Sequence, residues 1–230
     1  MNGEHTGDIR KPDPGGAAAR RASEPLLVLN VAVKLLLAGL LIFSLVASDL
    51  PQFAGKAMTA RALTYPWSAL LVPVLWWLRG RPSPYPHFVD VLIVLPFLVD
   101  VAGNTANLYN TMRYFDDVAH FVNWALLVAA FGAIMASLPL GRLNAAALTL
   151  GFGTTTNVLW EIAEYVVMRL GSSGLQLTYE DTIGDLALSF CGTLVGALLT
   201  ATLLWGRSYV NPTLFGPRRH SRSKKPRIPG

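Results

Sequence analysis

Six apolar stretches, each close to the length a helix needs to cross a bilayer, lie between residues 25 and 205. A hydrocarbon core about 30 Å thick takes roughly 20 apolar residues in a helix. In that medium every backbone amide must find its partner within the protein, which leaves a helix bundle as the fold for segments of this length. The stretches run roughly from Pro25 to Ala47, Leu63 to Leu78, Phe88 to Ala106, Val118 to Leu138, Leu143 to Leu170 and Thr182 to Trp205. Composition points the same way, with 52% hydrophobic and 14% charged residues, against roughly 25% charged in soluble domains. The predicted fold class is therefore all-α, a polytopic membrane bundle of about six transmembrane helices. A bundle of this size and two tails use up the chain, so any chemistry belongs to the bundle itself.

Two stretches carry local irregularities. Pro66 and Pro73 make the second a short, kinked or partly embedded segment. Gly151, Gly153 and Thr154 to Thr156 predict a bend or a tight helix contact in the fifth. The predicted organisation is a disordered tail over residues 1–24, a bundle over 25–206 and a basic tail over 207–230. Fourteen of the 19 Lys and Arg residues fall on the side of the membrane that holds both tails, which predicts both termini in the cytoplasm. The Arg20-Arg21 pair before an apolar run also fits a secretory signal cleaved near Val46-Ala47-Ser48. That run exceeds the usual 7 to 15 or so residues and contains Lys34, so its retention is expected. The expected partners are the bilayer and, for the basic C-terminal tail, anionic headgroups, with no nucleic acid. Lys34 is expected to snorkel or to pair with Asp90. Cys191 stands alone, which excludes an intrachain disulfide.

Against this background the ionisable residues stand out, because a charge in hydrocarbon is costly and marks a functional suspect. Ten acidic residues lie between Asp49 and Asp185, most of them in or beside the apolar stretches, together with His120. Placed by depth, the polar residues collect at the outer level. The third helix carries Asp100, Asn104 and Asn107 along one stripe. The fourth carries Asp116 and His120 four residues apart on one face, beside Asp117, with Asn123 and Trp124 a turn deeper. The fifth carries Thr154, Asn157, Glu161 and Glu164, and the last brings Asp181 and Asp185 to a common face. Three helices thus each offer a pair of ligand-type residues: Asp116 with His120, Glu161 with Glu164, Asp181 with Asp185.

Carboxylates and an imidazole at this spacing on facing helices are how carboxylate-bridged bundles coordinate divalent ions. Oxygen and nitrogen donors of this kind suit Fe, Mn or Zn. One or two such ions would balance charges that otherwise raise one another's pKa until several are protonated. Asp117, Asn123, Asn157, Asp100 and Asn104 are the expected supporting residues around the ligands. A plainer reading stands beside this one. Asp116, Asp117, Glu180 and Asp181 lie at helix starts, where acids cap and complement the dipole, and the asparagines serve as interhelical hydrogen-bonding residues. Glu161 resists that reading, since it lies about 13 Å inside its helix end at 1.5 Å per residue. Ser189, Gly192 and Gly196 form a small-residue packing stripe. There is no phosphate-binding glycine loop, nucleophile elbow or zinc-protease helix.

Three blocks carry a family resemblance: Phe-Asp-x-x-x-His-Phe at Phe115 to Phe121, aromatic-Glu-x-x-Glu-aromatic at Trp160 to Tyr165, and Asp-Thr-x-x-Asp at Asp181 to Asp185. In these the chain resembles the YjdF-like family of uncharacterised bacterial inner-membrane proteins, a domain of unknown function, over roughly residues 90–205. Asp116, His120, Glu161, Glu164, Asp181 and Asp185 are the positions that carry over. The resemblance implies a multi-pass protein of the bacterial cytoplasmic membrane with a polar site, and no particular reaction. The function expected from the residues is a metal-dependent membrane enzyme acting on a lipid-linked or envelope substrate. A proton- or cation-coupled transporter and a noncatalytic assembly protein are the alternatives.

Overall fold

The computed structural model describes residues 14–172 and 177–214, with side chains from Glu24 onward. Among the described residues every regular element is helical: α1 Pro14–Val46, α2 Met58–Thr64, α3 Pro66–Leu78, α4 His87–Thr105, α5 Leu108–Thr111, α6 Phe115–Ala136, α7 Arg142–Arg169 and α8 Tyr179–Leu199. A π-helical turn over Thr200–Leu204 extends α8 to the expected end of the last stretch.

The differences from expectation have local causes. Helix α1 begins at Pro14 and contains Pro25 in its interior, because Ala17 to Ala19 and the two following arginines are strong helix formers that carry the helix ahead of its apolar run. The rest of the expected N-terminal tail, residues 1–13, and the C-terminal basic run from residue 215 lie outside the described residues. The second stretch splits into α2 and α3 at Pro66, which opens α3 as its first residue, where its missing N–H is no loss. With 13 residues, α3 spans only about 20 Å at 1.5 Å per residue. Helix α7 has the length to cross but too polar a composition. Among the described residues four helical segments combine the length and hydropathy of a membrane span: Glu24–Val46, His87–Thr105, Phe115–Ala136 and Tyr179–Leu204.

Helix α6 is the centre of the bundle, packed against α4, α7 and α8, and its interface with α8 is the most extensive. The expected stripe on α8 makes this possible. A Cβ at Gly192 would run into the backbone carbonyl of Phe121, and one at Gly196 into the side chain of Val128. Gly153, in the middle of an unbroken α7, likewise leaves room for Thr193 and Val128, so the glycine-threonine cluster produces a tight contact. In a bilayer, where lipid is as apolar as leucine, such close approach is a main source of helix association. Gly192→Ala should accordingly lower the stability of the purified protein by about 1–3 kcal/mol, the usual overpacking range. Gly184→Ala, on the same helix but with no atom within 4 Å of the added carbon, should leave thermal unfolding in detergent unchanged.

Helix α1 packs on α4 through Val33, Leu37 and Leu41 against Val94, Leu98 and Val101. The pairing of Lys34 with Asp90 is present, at 2.6 Å, and Asp90 is fully buried. Asp90 also accepts from Asn30 at 2.8 Å and from the Tyr85 hydroxyl. Helix α4 thus holds one buried acid near each end, Asp90 and Asp100, about 15 Å apart along the axis.

Candidate functional site

The end of the bundle that carries Asp100 is where the ionisable side chains converge. Asp100, on the last turns of α4, accepts from Arg61 Nε at 2.7 Å and Nη2 at 3.3 Å, from the Tyr65 hydroxyl at 2.6 Å, from the Tyr109 hydroxyl at 3.0 Å and from Asn104 Nδ2 at 3.2 Å. Burial works against the Arg61 charge, but Asp100 more than offsets it and holds the guanidinium above its ordinary pKa. A carboxylate so fully supplied with donors has no lone pair to spare. Asp100 is therefore a structural knot in the cavity wall, to which Asn104 contributes its Nδ2 while its own Oδ1 is buried without a partner. Asn107, expected on the same stripe, falls beyond the end of α4 in a left-handed conformation with φ of 60°, and its side chain accepts from Asn110.

His120 is the hub of the remaining groups. Its Nε2 stands 3.6 Å from Asp116 Oδ1, one turn earlier on α6, and 3.6 Å from Asp185 Oδ1 on α8. Its Nδ1 lies 3.1 Å from Ser189 Oγ and 3.9 Å from Glu161 Oε1 on α7. Ligand-type atoms of Asp116, His120 and Asp185 come within 4.8 Å of one another, as do those of His120, Glu161 and Glu164. The ring of Trp124 lies nearly parallel to that of His120, and its indole N–H donates to the Gly153 carbonyl at 3.2 Å. Register explains the meeting: Gly192 and Gly153 bring α8 and α7 close to α6, one or two turns from Ser189, Asn157 and His120.

A cavity of about 130 Å³ opens beside this hub. His120, Asp116, Asp185, Glu164 and Asp181 line it on one side and Lys56, Arg61 and Asn104 on the other. Asp116 sits at its mouth, with its side chain 44% exposed, whereas Asp185 and Glu161 are buried at 5% and 6%. Both Glu161 oxygens are buried without a hydrogen-bond partner, as are Asn123 Oδ1 and Asn157 Oδ1. Asn157 does donate, through Nδ2, to the Leu186 carbonyl at 3.0 Å.

Four of the other five expected ligand residues thus meet around His120, and the fifth stands apart. Asp181 lines the cavity but belongs to neither close group. It lies in the first turn of α8, where its backbone N–H donates to Thr178 Oγ1 at 3.1 Å, the capping arrangement expected of a helix start. Asp117 is half-buried beside Asp116 and is not on the cavity wall. Asn123 lines the cavity, and Asn157 lies against α8.

Four wall residues carried no functional expectation: Lys56, Arg61, Tyr65 and Tyr109. Lys56 Nζ lies 5.7 Å from the Tyr109 ring centre, and the Lys56 carbonyl accepts from Arg61 Nη1. Burial pulls the ammonium pKa below its ordinary value, with nearby Asp116 acting in the opposite direction. Among the described residues no carboxylate lies within ion-pair distance of Lys56. The available signal was simple: Lys56 and Arg61 are two of the few basic residues on the acid-rich side of the predicted topology.

A family model described as "Predicted membrane protein (DUF2238)" matches residues 29–206. The match is longer than the three-block resemblance, since it takes in α2 and α3 and most of α1, and with them Lys34, Lys56 and Arg61. No curated protein and no solved structure matches. The chain belongs to this family of membrane proteins of unknown function.

Proposed function

We propose that this member of the family is a metal-dependent membrane enzyme, with a divalent ion of the Fe, Mn or Zn type held by Asp116, His120 and Asp185, acting on a lipid-linked or envelope substrate. The observation that carries the reading is the convergence of four carboxylates from three helices on one imidazole, with Glu161 buried and lacking any donor. Buried polar groups without partners are rare and call for an explanation. Two ligands each about 2.1 Å from one ion stand roughly 3 to 3.5 Å apart, and the 3.6 Å separations at Nε2 fit that requirement.

A neutral imidazole has one lone pair, so His120 can serve as ligand through only one nitrogen while the other donates. Ser189 at Nδ1 is the nearer partner. With Nδ1–H donating to that hydroxyl, Nε2 is left for the ion, the arrangement that usually orients a ligating histidine. When bound, such an ion supplies Lewis acidity and a water that ionises near neutral pH. Glu161 and Glu164 then stand beside the centre as proton acceptors for the reaction. Arg61, committed to Asp100, contributes shape to the wall, and Trp124 and Leu127 close the cavity on its bundle side.

Elemental analysis of the protein purified in detergent from metal-replete medium is expected to find about one such ion per chain. Protein that folds normally yet carries only background metal overturns the reading. Asn123, Asn157 and Thr193, which have buried oxygens without partners, favour cation or proton transport as the second reading. Cation flux in proteoliposomes that disappears with Asp185→Asn, in protein without bound metal, is the result that would select it.

A further inference from the structure

The wall of the polar cavity carries more negative charge than one divalent ion removes. Asp100, Asp116, Glu164, Asp181 and Asp185 line it, against Lys56 and Arg61. The two cations offset two of the five carboxylates, Arg61 through its pair with Asp100, which leaves three. A divalent ion balances two of these and leaves at least one, before Glu161 behind the wall is counted. The same wall also holds acceptors with nothing to accept from. Asn104 is only 2% exposed, and its Nδ2 is fastened to the Asp100 carbonyl at 2.9 Å and carboxylate at 3.2 Å. Its Oδ1 is thus the free end of the amide, buried without a donor, and Asn123 Oδ1 on α6 is in the same state. Buried acceptors of this kind call for a donor. Much of the remaining lining is aromatic: Tyr65, Phe97, Tyr109, Trp124 and Trp160. The hydroxyls of Tyr65 and Tyr109 are spent on Asp100, so these two residues offer the cavity ring surface in place of lone pairs.

We propose that the cavity takes the primary ammonium group of an amine, entering past Asp116, with Glu164 and Asp181 balancing its charge and the Asn104 carbonyl accepting one of its N–H groups. A second metal ion would balance the charge but would find no ligand on the aromatic part of the wall. An ammonium group suits both parts, because its N–H donors match amide and carboxylate oxygens and its charge is attracted to ring faces within about 6 Å. Lys56 shows the pairing in this same wall, with its own ammonium 5.7 Å from the Tyr109 ring centre. Among the described residues it has no carboxylate at ion-pair distance, so it does not fill the role itself. The cavity, at about 130 Å³, has space for about four waters at about 30 Å³ each. It therefore takes a small amine whole or the aminoethyl end of a larger molecule, such as a lipid headgroup. The role of this amine as the recognition group of a substrate rests on the metal-centre reading above; its binding does not.

The test titrates the full chain in a neutral maltoside detergent with ethanolamine, choline and ethylene glycol, followed by saturation-transfer NMR. Ethanolamine is expected to bind saturably and about tenfold tighter than choline, whose nitrogen has the charge without N–H donors, a difference the size of one hydrogen bond to a charged group. Uncharged ethylene glycol should not bind measurably. Asn104→Leu and Asp181→Asn should each weaken ethanolamine binding about tenfold, as should Asn123→Leu, which serves if Asn104→Leu fails to fold. Lys56→Gln should tighten it severalfold by removing a like charge. No ethanolamine binding, equal binding of ethanolamine and choline, indifference to the asparagine and Asp181 variants, or weaker binding in Lys56→Gln overturns the proposal. Competition by phosphatidylethanolamine but not phosphatidylcholine in mixed micelles upholds it with a lipid headgroup as the source of the amine; saturable ethanolamine binding without such competition upholds it with a soluble amine. Metal content measured on the same samples separates the two readings. Asp181→Asn should keep its metal while losing ethanolamine, ethanolamine binding in metal-free protein upholds the ammonium site while removing the metal centre, and metal-loaded protein that ignores ethanolamine does the reverse.

Discussion

Replacing His120 with alanine is expected to take the protein from about one bound divalent ion per chain to background, the largest change in metal content of any single substitution. The expectation follows from the position of the ring. It is the one nitrogen donor among acids from α6, α7 and α8, and it faces Asp116 and Asp185 from a single nitrogen. Asp185→Asn should act nearly as strongly, since that residue is buried with no other polar partner described. Ser189→Ala should be milder, weakening binding by about 10–100-fold, the usual cost of removing the group that orients a ligating histidine. Asp181→Asn, at a helix start and outside both close groups, should leave metal content alone. Titration of each purified variant with Zn or Mn under calorimetry gives the ordering directly. Equal effects from Asp181→Asn and Asp185→Asn would mean a diffuse acidic surface in place of a defined centre.

The hub was legible in the sequence because helical geometry and bilayer thickness constrain it together. Asp116 and His120 share a face by spacing alone, and Glu161 lies too deep for a cap, so the meeting of α6, α7 and α8 followed once the stretches were aligned by depth. The small-residue stripe on α8 was legible for the same reason, since Ser189, Gly192 and Gly196 recur at helical intervals. The wall opposite the hub was not. Lys56, Arg61 and Tyr65 come from the connection after α1 and the short segments around Pro66, where no period of 3.6 residues fixes which side chains face inward. Asn107 shows the limit from the other direction, because a stripe extrapolated past Asp100 and Asn104 ignored the end of α4 at Thr105. The four segments that combine length and hydropathy leave out two of the six expected stretches, because Pro66 divides the second into two helices and α7 turns Asn157 and Glu161 toward its neighbours in the bundle.

The Arg61–Asp100 pair makes the second large prediction, and its sign is worked out from burial. Both side chains are close to nine-tenths buried, so removing one partner leaves an uncompensated charge. Arg61→Met should destabilise the protein by about 3–5 kcal/mol, the range for breaking a buried pair. Asp100→Asn alone keeps an acceptor for one of the Tyr65 and Tyr109 hydroxyls, which donate to different oxygens, and it leaves the guanidinium without its anion in a cavity it shares with Glu164 and Asp185. A freed cation there competes with a divalent ion for the same carboxylates, so Asp100→Asn should weaken metal binding as well as lower the thermal midpoint. The double variant Arg61→Met/Asp100→Asn removes both charges and retains a carbonyl oxygen for one of the two tyrosine hydroxyls. It should recover part of the stability lost by Arg61→Met, with a coupling of about 0.5–3 kcal/mol, and restore the metal affinity lost by Asp100→Asn. Strictly additive penalties in the double variant would show that the pair is not coupled. Metal binding indifferent to Asp100→Asn would show that Arg61 never reaches the acids around His120. The pair therefore tests whether the cavity depends on keeping its one buried guanidinium occupied elsewhere, so that the carboxylates facing His120 remain free to bind.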